Sequence, residues 1–207
     1  PYATLLRSRG EYLLFLNNDV EIITENWLEE MLQLCQQKDV GMVGAKLYYP
    51  DDTIQHAGVV VGLGGVAAHV LCKLPRDAEG YMGRLRCVQE ISAVTAACMM
   101  VKTSVFKAVG GFDEELKVAF NDIDLCMKVR KYGVKIVFTP YAELYHYESK
   151  SRGMEDTPEK QLRFSREVNC FRRKWERELL KGDPYYNPNL TLNNTDCSLR
   201  KQEKNGD

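Results

Sequence analysis

The stretch Tyr12-Leu13-Leu14-Phe15-Leu16-Asn17-Asn18-Asp19 decides the fold of this chain. Its five consecutive apolar or aromatic residues predict a β-strand that is buried on both faces. The strand ends abruptly in two amides and a carboxylate, and in an open parallel sheet ligands bind at that edge. Oxygen ligands of this kind suit Mg²⁺ or Mn²⁺, so the stretch predicts a metal site. The alternative is that Asn-Asn-Asp forms a turn leading into the next helix.

The composition is that of an ordinary globular protein. The chain has 207 residues, of which 44% are hydrophobic and 28% are charged, and this length suits one domain. A formal net charge of -1 argues against a dedicated nucleic-acid-binding protein. The seven cysteines include no C-x-x-C pair, which indicates small core residues of a reducing compartment rather than a disulfide framework.

The residues that follow Asp19 predict a βαβ unit. Thr24 is a good N-cap for a helix over residues 25–37, and residues 41–47 predict a second strand. Two histidines come next, His56 and His69, without partners at metal-ligand spacing. We interpret both as structural or surface residues.

Two more polar sites follow predicted elements in the second half of the chain. Asn121-Asp122-Ile123-Asp124 opens a helix that ends at Gly133, and capping accounts for one of its two carboxylates better than for both. His146 lies in a predicted strand over residues 143–147, which Pro140 separates from another strand over residues 134–138. Beyond them, the sequence predicts one amphipathic helix over residues 159–181.

The three polar sites, in this order, resemble those of the family 2 glycosyltransferases, which have the GT-A fold. Leu16-Asn17-Asn18-Asp19 stands at the Asp-x-Asp position of that family, and Asn121-Asp122-Ile123-Asp124 stands where the family has Glu-Asp-x-Asp. Gly110-Gly111-Phe112-Asp113-Glu114 matches a third motif, and His146 precedes a loop rich in serine and arginine. The resemblance covers residues 10–153.

This resemblance implies an α/β fold of the GT-A type. The expected architecture is Rossmann-like, with a mostly parallel central sheet flanked by helices and a C-terminal helical extension. The implied division is a partial glycosyltransferase domain over residues 1–153, lacking its N-terminal part, a helix with a Tyr/Pro turn over residues 154–192, and a loose polar tail over residues 193–207.

The resemblance also implies a reaction, the inverting transfer of one sugar from a nucleotide-diphosphate donor. Asp122 would be the general base, while Asp19 and His146 would hold Mg²⁺ or Mn²⁺ against the donor diphosphate. Other implied residues either contact the donor or line the pocket for the sugar and the acceptor. The donor contacts are Asn17, Asn18, Lys150 and Arg152, and the pocket residues are Thr95, Ala96, Gly111, Phe112, Asp113 and Asp124.

The partners are also expectations from the resemblance, which near residues 183–190 is to bacterial members that build surface polysaccharides. It implies a UDP- or dTDP-linked hexosyl or rhamnosyl donor and a glycan or lipid-linked acceptor. The expected location is the cytoplasm, at the inner face of the membrane, with peripheral attachment through a longer parent protein. The family's Gln-x-x-Arg-Trp motif is absent, its nearest counterpart being residues 171–175, and this favours the addition of a single sugar.

Two departures from the family pattern keep other functions open. Asn17 replaces an Asp and Asn121 replaces a Glu, and each change removes a negative charge. Together with the missing N-terminal part, they leave a non-catalytic domain that binds a glycan or a partner as the alternative, and the chain alone is not expected to turn over. A metal-dependent phosphohydrolase is a third, weaker idea, because no second cluster of carboxylates or histidines supports a two-metal site.

Overall fold

The computed structural model describes residues 7–147 and 157–201. Its strands are β1 (Tyr12–Leu16), β2 (Val20–Ile22), β3 (Val40–Tyr48), β4 (Ile54–His56), β5 (Val59–Val61), β6 (Ala67–His69), β7 (Gln89–Glu90), β8 (Cys98–Lys102) and β9 (Lys135–His146). Its helices are α1 (Trp27–Cys35), α2 (Thr103–Ala108), α3 (Asn121–Tyr132), α4 (Pro158–Lys174) and α5 (Glu176–Lys181).

A central sheet with the strand order β1-β8-β3-β9-β2 organises the domain, with β4 added to β3 and β7 added to β9. This sheet and its helices confirm the α/β class. The expectation of a mostly parallel sheet is wrong for the described residues, where β3 and β9 are parallel and the other pairs are antiparallel. Part of the reason is that β8 inserts between β1 and β3, and the short strands β2, β4 and β7 add three further antiparallel pairs. The two strands of the predicted βαβ unit therefore run parallel to each other without being neighbours.

The first strand, β1, lies at the edge of the described sheet. It pairs with β8 from Tyr12↔Lys102 to Leu16↔Cys98, and Leu14 and Leu16 are 37% and 42% exposed. The prediction of a strand buried on both faces is therefore wrong. A short apolar run does not by itself reveal how many neighbours a strand has.

The strand β9 is continuous where the sequence predicts two strands. Pro140 does not end it, because the pairing of β3 with β9 shifts register between Gly44 and Lys46, opposite this part of β9. A bulge tolerates proline, which has no N–H to donate to the ladder. Beyond the bulge, β9 continues to His146 and pairs there with Val20 of β2.

Two predicted helices differ from those observed. The helix predicted over 25–37 is the shorter α1, and Thr24 does not cap it: its Oγ1 instead accepts a hydrogen bond from the N–H of Glu143, 3.2 Å away. The helix predicted over 159–181 is divided into α4 and α5 at Trp175, where φ is -115°. The third, α3, has the predicted bounds and ends at Gly133, whose φ of +97° is readily adopted by glycine.

The hydrophobic core lies on both faces of the sheet. On one face, Trp27, Met31 and Cys35 of α1 pack with alternate residues of β3 and β9. On the other face, α3 packs with the intervening residues of the same strands, and Phe171 and Trp175 join this cluster. Burial of these two faces fixes α1 and α3 on opposite sides of β3, because successive side chains of a strand point in opposite directions.

The segment predicted to be a loose polar tail packs against the domain as far as the structure describes it. The N–H of Leu71 donates to the carbonyl of Thr195 at 2.6 Å, Leu190 and Leu199 form a β-bridge, and Cys197 is buried. This part of the prediction is wrong, because the few apolar residues of the segment find tertiary partners that its polar composition does not reveal.

Candidate functional site

The ends of β1 and β9 bring Asp19 and His146 together. The pairing of β2 with β9 places Val20 opposite His146, and the N–H of Tyr147 donates to the carbonyl of Asp19 at 2.9 Å. As a result, Asp19 Oδ1 lies 3.3 Å from His146 Nε2, and the two side chains are 13% and 11% exposed. Asn17 Nδ2 lies 3.0 Å from the same ring nitrogen.

A glutamine on β4, Gln55, orients the imidazole of His146. Gln55 Nε2 donates to the backbone carbonyl of His146 at 3.1 Å, so its Oε1 faces His146 Nδ1 at 2.7 Å and accepts the proton there. Nε2 is then the unprotonated nitrogen and accepts from Asn17 Nδ2. A hydrogen bond that fixes the second nitrogen of a histidine is the usual support for a metal-ligating ring.

The resulting arrangement has the chemistry of a divalent-metal site. Asp19 Oδ1 is buried without a hydrogen-bond donor among the described residues, and it lies beside His146 Nε2. A cation bound to both would take the place of Asn17 Nδ2 on the single lone pair of that nitrogen. Two electron-pair donors that face each other are stabilised by a cation between them, and Mn²⁺ accepts both carboxylate and imidazole ligands. No group of three His, Cys, Asp or Glu side chains in the described ranges could hold a metal.

A turn over residues 95–97 connects this pair of side chains to Asp122. The N–H of Asn17 donates to the carbonyl of Ala97 at 3.0 Å, and the N–H of Ala96 donates to Asp122 Oδ2 at 3.1 Å. The turn also contains Thr95, whose Oγ1 accepts from the N–H of Ala97. Two hydrogen bonds therefore join the end of β1, the turn over residues 95–97 and the first turn of α3, although these regions are far apart in the sequence.

Close packing against β3 fixes the residue that precedes this turn. The residue that precedes it, Val94, is buried and lies against Gly44 of β3. A Cβ atom at Gly44 would lie only 2.3 Å from Val94 Cγ1, so the strand can pass this close only without a side chain.

The carboxylate of Asp122 lies in the first turn of α3. Its Oδ1 accepts from the N–H of Ile123 at 2.9 Å, and the side chain of Asn121 accepts from the N–H of Asp122 at 2.7 Å. The helix starts from Phe120, which has a φ of +62°. Such a conformation is unusual for a bulky residue and occurs where surrounding contacts enforce it.

The structure corrects the role predicted for Asp124, which was expected to line the pocket. Asp124 is fully buried, and its Oδ1 accepts from Trp175 Nε1 at 2.9 Å and Lys174 Nζ at 2.7 Å. Lys128 Nζ lies 3.1 Å from Oδ2. Since these three groups enclose the carboxylate, Asp124 fastens α3 to the end of α4 and is not available to a substrate.

The predicted pocket residues Gly111, Phe112 and Asp113 lie near Asp124 and its two lysine partners. Asp113 is bound by Lys174, and this hydrogen bond, followed by one from the N–H of Glu115, lowers the pKa of Asp113. Burial alone would lower the pKa of Lys174, but its hydrogen bonds to Asp113 and Asp124 outweigh that effect and raise it. Gly111 accepts from Lys128 through its carbonyl, and the ring of Phe112 packs 5.0 Å from that of Phe15 on β1.

Three predicted donor contacts remain besides Asn17, and the structure describes one of them, Asn18. Asn18 is exposed beside Asp19. Lys150 and Arg152 lie outside the described residues, and their contact with the diphosphate stays a prediction.

Most of this chain matches one known protein family. The model of a family described as "Glycosyltransferase like family" matches residues 2–167, which is most of the chain. The chain belongs to this family. The resemblance to family 2 glycosyltransferases is thereby confirmed.

Relatives of this glycosyltransferase-like chain include two bacterial proteins. The uncharacterized protein y4gI of Sinorhizobium fredii is 56% identical over 95% of the chain, and the O-antigen biosynthesis protein RfbC of Myxococcus xanthus is 40% identical over 97% of it. The chain spans 22% and 16% of the lengths of these two relatives. It therefore corresponds to one part of much longer proteins.

The fold has solved counterparts among the GT-A glycosyltransferases. A crystal structure of GalNAc-T7 with UDP, GalNAc and Mn²⁺ matches 86% of this chain and 34% of that one, with a TM-score of 0.60 and 14% sequence identity. This similarity confirms the GT-A expectation. In the described part of the glycosyltransferase-like chain, no helix is both long and apolar enough to cross a membrane.

Several side chains around the site were not identified from the sequence, and they include Gln55, Lys128, Glu167 and Lys174. Gln55 has no local signal, since its partner His146 is 91 residues away. Glu167 does carry one, because it lies on the face of α4 that also presents Phe164 and Phe171 to the protein. A charged residue within an apolar helical stripe indicates a buried polar partner.

A histidine pair, of which His56 is the buried member, lies close to the site. His56 is completely buried and its Nδ1 lies 3.0 Å from His69 Nδ1, so the interpretation of His56 as a structural residue agrees with its position in the core, whereas a surface location is wrong. Burial, followed by the proximity of His69 and His146, lowers the pKa of His56 well below its usual value. The imidazole is therefore neutral at pH 7.

We expect His56 to make stability sensitive to mild acid. Its pKa is depressed in the folded state, so below about pH 6.5 the unfolded chain binds a proton that the folded chain does not. The free energy of unfolding should then fall as the pH is lowered from 6.5 to 5, by up to about 1.4 kcal/mol per pH unit. Urea unfolding at a series of pH values, without added metal, measures this slope.

The His56→Gln variant should reduce the slope, whereas the matched His69→Gln variant should retain most of it. A wild-type free energy of unfolding that does not change between pH 7 and pH 5 would contradict the prediction.

Proposed function

We propose that the intact protein is a metal-dependent, inverting glycosyltransferase that moves one sugar from a nucleotide-diphosphate donor to a glycan or lipid-linked acceptor in cell-surface polysaccharide synthesis. The observation that carries this proposal is the contact between Asp19 Oδ1, buried without a donor among the described residues, and the unprotonated Nε2 of His146. Family membership and a GT-A fold support it further.

The donor end of the site would be organised by Asp19 and His146. A divalent cation bound there, Mn²⁺ or Mg²⁺, would stabilise the charge that develops on the leaving diphosphate. Gln55 would still hold the ring through Nδ1, whereas the cation would displace the hydrogen bond that Asn17 donates to Nε2. The loss of charge at Asn17 relative to the family's Asp is therefore compatible with a defined position for His146. Lys150 and Arg152 are proposed as cationic contacts to the diphosphate.

The acceptor end would be organised by Asp122. Hydrogen bonds from the N–H groups of Ala96 and Ile123 fix its carboxylate, and each oxygen keeps a lone pair that can accept from a hydroxyl group. Asp122 would take the proton of the acceptor hydroxyl as its oxygen forms a bond to the anomeric carbon. The bond from that carbon to the diphosphate breaks at the same time, so a nucleoside diphosphate leaves and the anomeric configuration is inverted.

The proposed substrates are those that the family resemblance implies, and one relative supports the acceptor class. UDP- and dTDP-linked hexoses or 6-deoxyhexoses such as rhamnose are the proposed donors. The relative named for O-antigen biosynthesis supports a bacterial polysaccharide or its lipid-linked precursor as the acceptor. We propose a cytoplasmic location with peripheral attachment to the membrane, where a lipid-linked acceptor would be reached.

The decisive experiment is a transfer assay with the intact protein. UDP- and dTDP-sugars are supplied one at a time with Mn²⁺, with Mg²⁺, or with a chelator, in the presence of lipid-linked acceptors. We expect product from one donor class, formed only with metal, and NMR coupling constants that show inversion at the anomeric carbon.

A folded intact protein that transfers no sugar and binds no nucleotide in the presence of metal would contradict the proposal. That outcome would favour the non-catalytic alternative. Release of phosphate from the donor without any sugar acceptor would instead favour a phosphohydrolase.

A further inference from the structure

A buried carboxylate on α4 holds the loop that leads to Asp122. Glu167 is only 3% exposed. Its Oε1 accepts hydrogen bonds from the N–H groups of Lys117 and Val118 at 3.1 and 3.2 Å, and its Oε2 accepts from the N–H of Ala119 at 2.8 Å. Three consecutive backbone donors thus converge on one carboxylate.

A buried carboxylate among apolar side chains calls for a structural explanation. Burying a carboxylate is unfavourable unless hydrogen bonds replace its hydration. An apolar side chain would suit this face of α4 better, since Phe164 and Phe171 flank the position. The carboxylate is explained by what it binds, a run of backbone N–H groups that no apolar residue could satisfy.

The bound loop continues directly into the start of α3. Ala119 is followed by Phe120, whose φ is +62°, and then by Asn121 and Asp122. The ring of Phe120 packs 5.8 Å from that of Phe164 and 5.4 Å from that of Phe171, both on α4. The strained backbone immediately before Asp122 is therefore held against one face of α4, by Glu167 and by two aromatic contacts.

The same helix also holds the beginning of this loop. Lys174, two turns after Glu167 on α4, bonds both Asp113 and Asp124. The loop from Asp113 to Phe120 is consequently fixed to α4 at its start and at its end. Displacement of α4 would change the position of the α3 N-terminus.

We propose that Glu167 is a positioning residue for the transfer reaction, fixing residues 117–119 so that the carboxylate of Asp122 meets the acceptor hydroxyl. This role rests on the proposed function. It predicts that loss of Glu167 affects catalysis after donor binding, because neither Glu167 nor the loop it holds contacts Asp19 or His146 among the contacts described.

The test compares Glu167→Gln with Glu159→Gln in the intact protein. The amide introduced by Glu167→Gln would turn an N–H₂ group towards at least one backbone N–H, whereas Glu159 is exposed on the same helix. We expect kcat to fall by about 10- to 100-fold in Glu167→Gln, since small misplacement of a catalytic group has effects of this size. The donor KM and the affinity for nucleotide with Mn²⁺ should change less than about twofold. Glu159→Gln should match the wild type.

Hydrogen exchange and a second variant distinguish a local change in the loop from a general loss of structure. Hydrogen exchange should show faster exchange at residues 117–119 in Glu167→Gln and unchanged exchange at residues 17–20. If Glu167→Gln does not fold, Glu167→Asp replaces it, since it keeps the charge and shortens the reach by one methylene, and the same split between kcat and donor KM is expected.

The outcomes separate this role from the proposed function. A wild-type protein that transfers sugar, together with a folded Glu167 variant that has the wild-type kcat, overturns the positioning role alone. A Glu167 variant that weakens nucleotide binding as strongly as it lowers kcat also overturns it, because the effect would then be general. A wild-type protein without transfer overturns the proposed function and this role with it.

Discussion

Replacing Asp122 by Asn should lower kcat for sugar transfer by about 10²- to 10⁴-fold, the usual contribution of a positioned general base. The amide is nearly isosteric and can still accept from the N–H of Ala96 through its oxygen, so the turn over residues 95–97 should persist. It cannot take the proton of the acceptor hydroxyl. Initial rates in the intact protein at saturating donor and acceptor measure the effect.

The matched control for this variant is Asp77→Asn. Asp77 is exposed and lies outside the site, and the substitution makes the same chemical change. Its kcat should equal that of the wild type. Retention of more than a tenth of the wild-type kcat by Asp122→Asn would exclude Asp122 as the base.

Replacing Asp19 by Ala should abolish metal-dependent binding of the donor nucleotide. The carboxylate supplies the oxygen that faces His146 Nε2, and without it the protein retains only one of the two proposed metal ligands. Calorimetric titration of UDP and of dTDP in the presence of Mn²⁺ should show strong binding of one nucleotide to the wild type and none to the variant. The nucleotide that binds identifies the base of the donor.

A graded variant and a control sharpen this result. Gln55→Ala leaves both ligands in place but frees the imidazole of His146, and loss of such support typically weakens metal binding by about 10- to 100-fold. Glu25→Gln, an exposed change nearby in the sequence, should bind as the wild type does. Equal binding of nucleotide to wild type and Asp19→Ala, with or without Mn²⁺, would remove Asp19 from the metal site.

The parts of the site that the sequence predicts well are those set by short-range order. Asn17 and Asp19 come directly after a strand, and Asp122 comes in the first turn of a helix, so each position follows from one element. Gln55 and Glu167 act on residues 91 and about 50 positions away, and such partners are decided by tertiary packing. The pattern of a single helix or strand does not contain them.

The two carboxylates of the α3 motif show the same limit. Asp122 and Asp124 are chemically identical and two residues apart, which places them on different sides of a helix that turns about 100° per residue. One faces the turn over residues 95–97 and the other faces Lys174 and Trp175. The resemblance gives both residues a role at the site, and helical geometry alone does not say which of them is enclosed.

The strand order of the sheet also depends on partners that lie far away in the sequence. The apolar run of β1 and the helix after it correctly predict strands β1 and β3 and their shared direction. They give no information about β8, which arrives from residues 98–102 and inserts between the two. Only long-range pairing determines that insertion, and it gives two of the antiparallel pairs of the described sheet.

The turn over residues 95–97 bears on how the proposed site of this protein could be redesigned. Because one side of the turn bonds Asn17 and the other bonds Asp122, substitutions that retune the donor end and the acceptor end share a common partner. Their free-energy effects should not add, and a combination chosen from single-variant data would be misjudged. Gln55 and Glu167 have no common partner among the contacts described, so they offer two independent positions from which the proposed site can be adjusted.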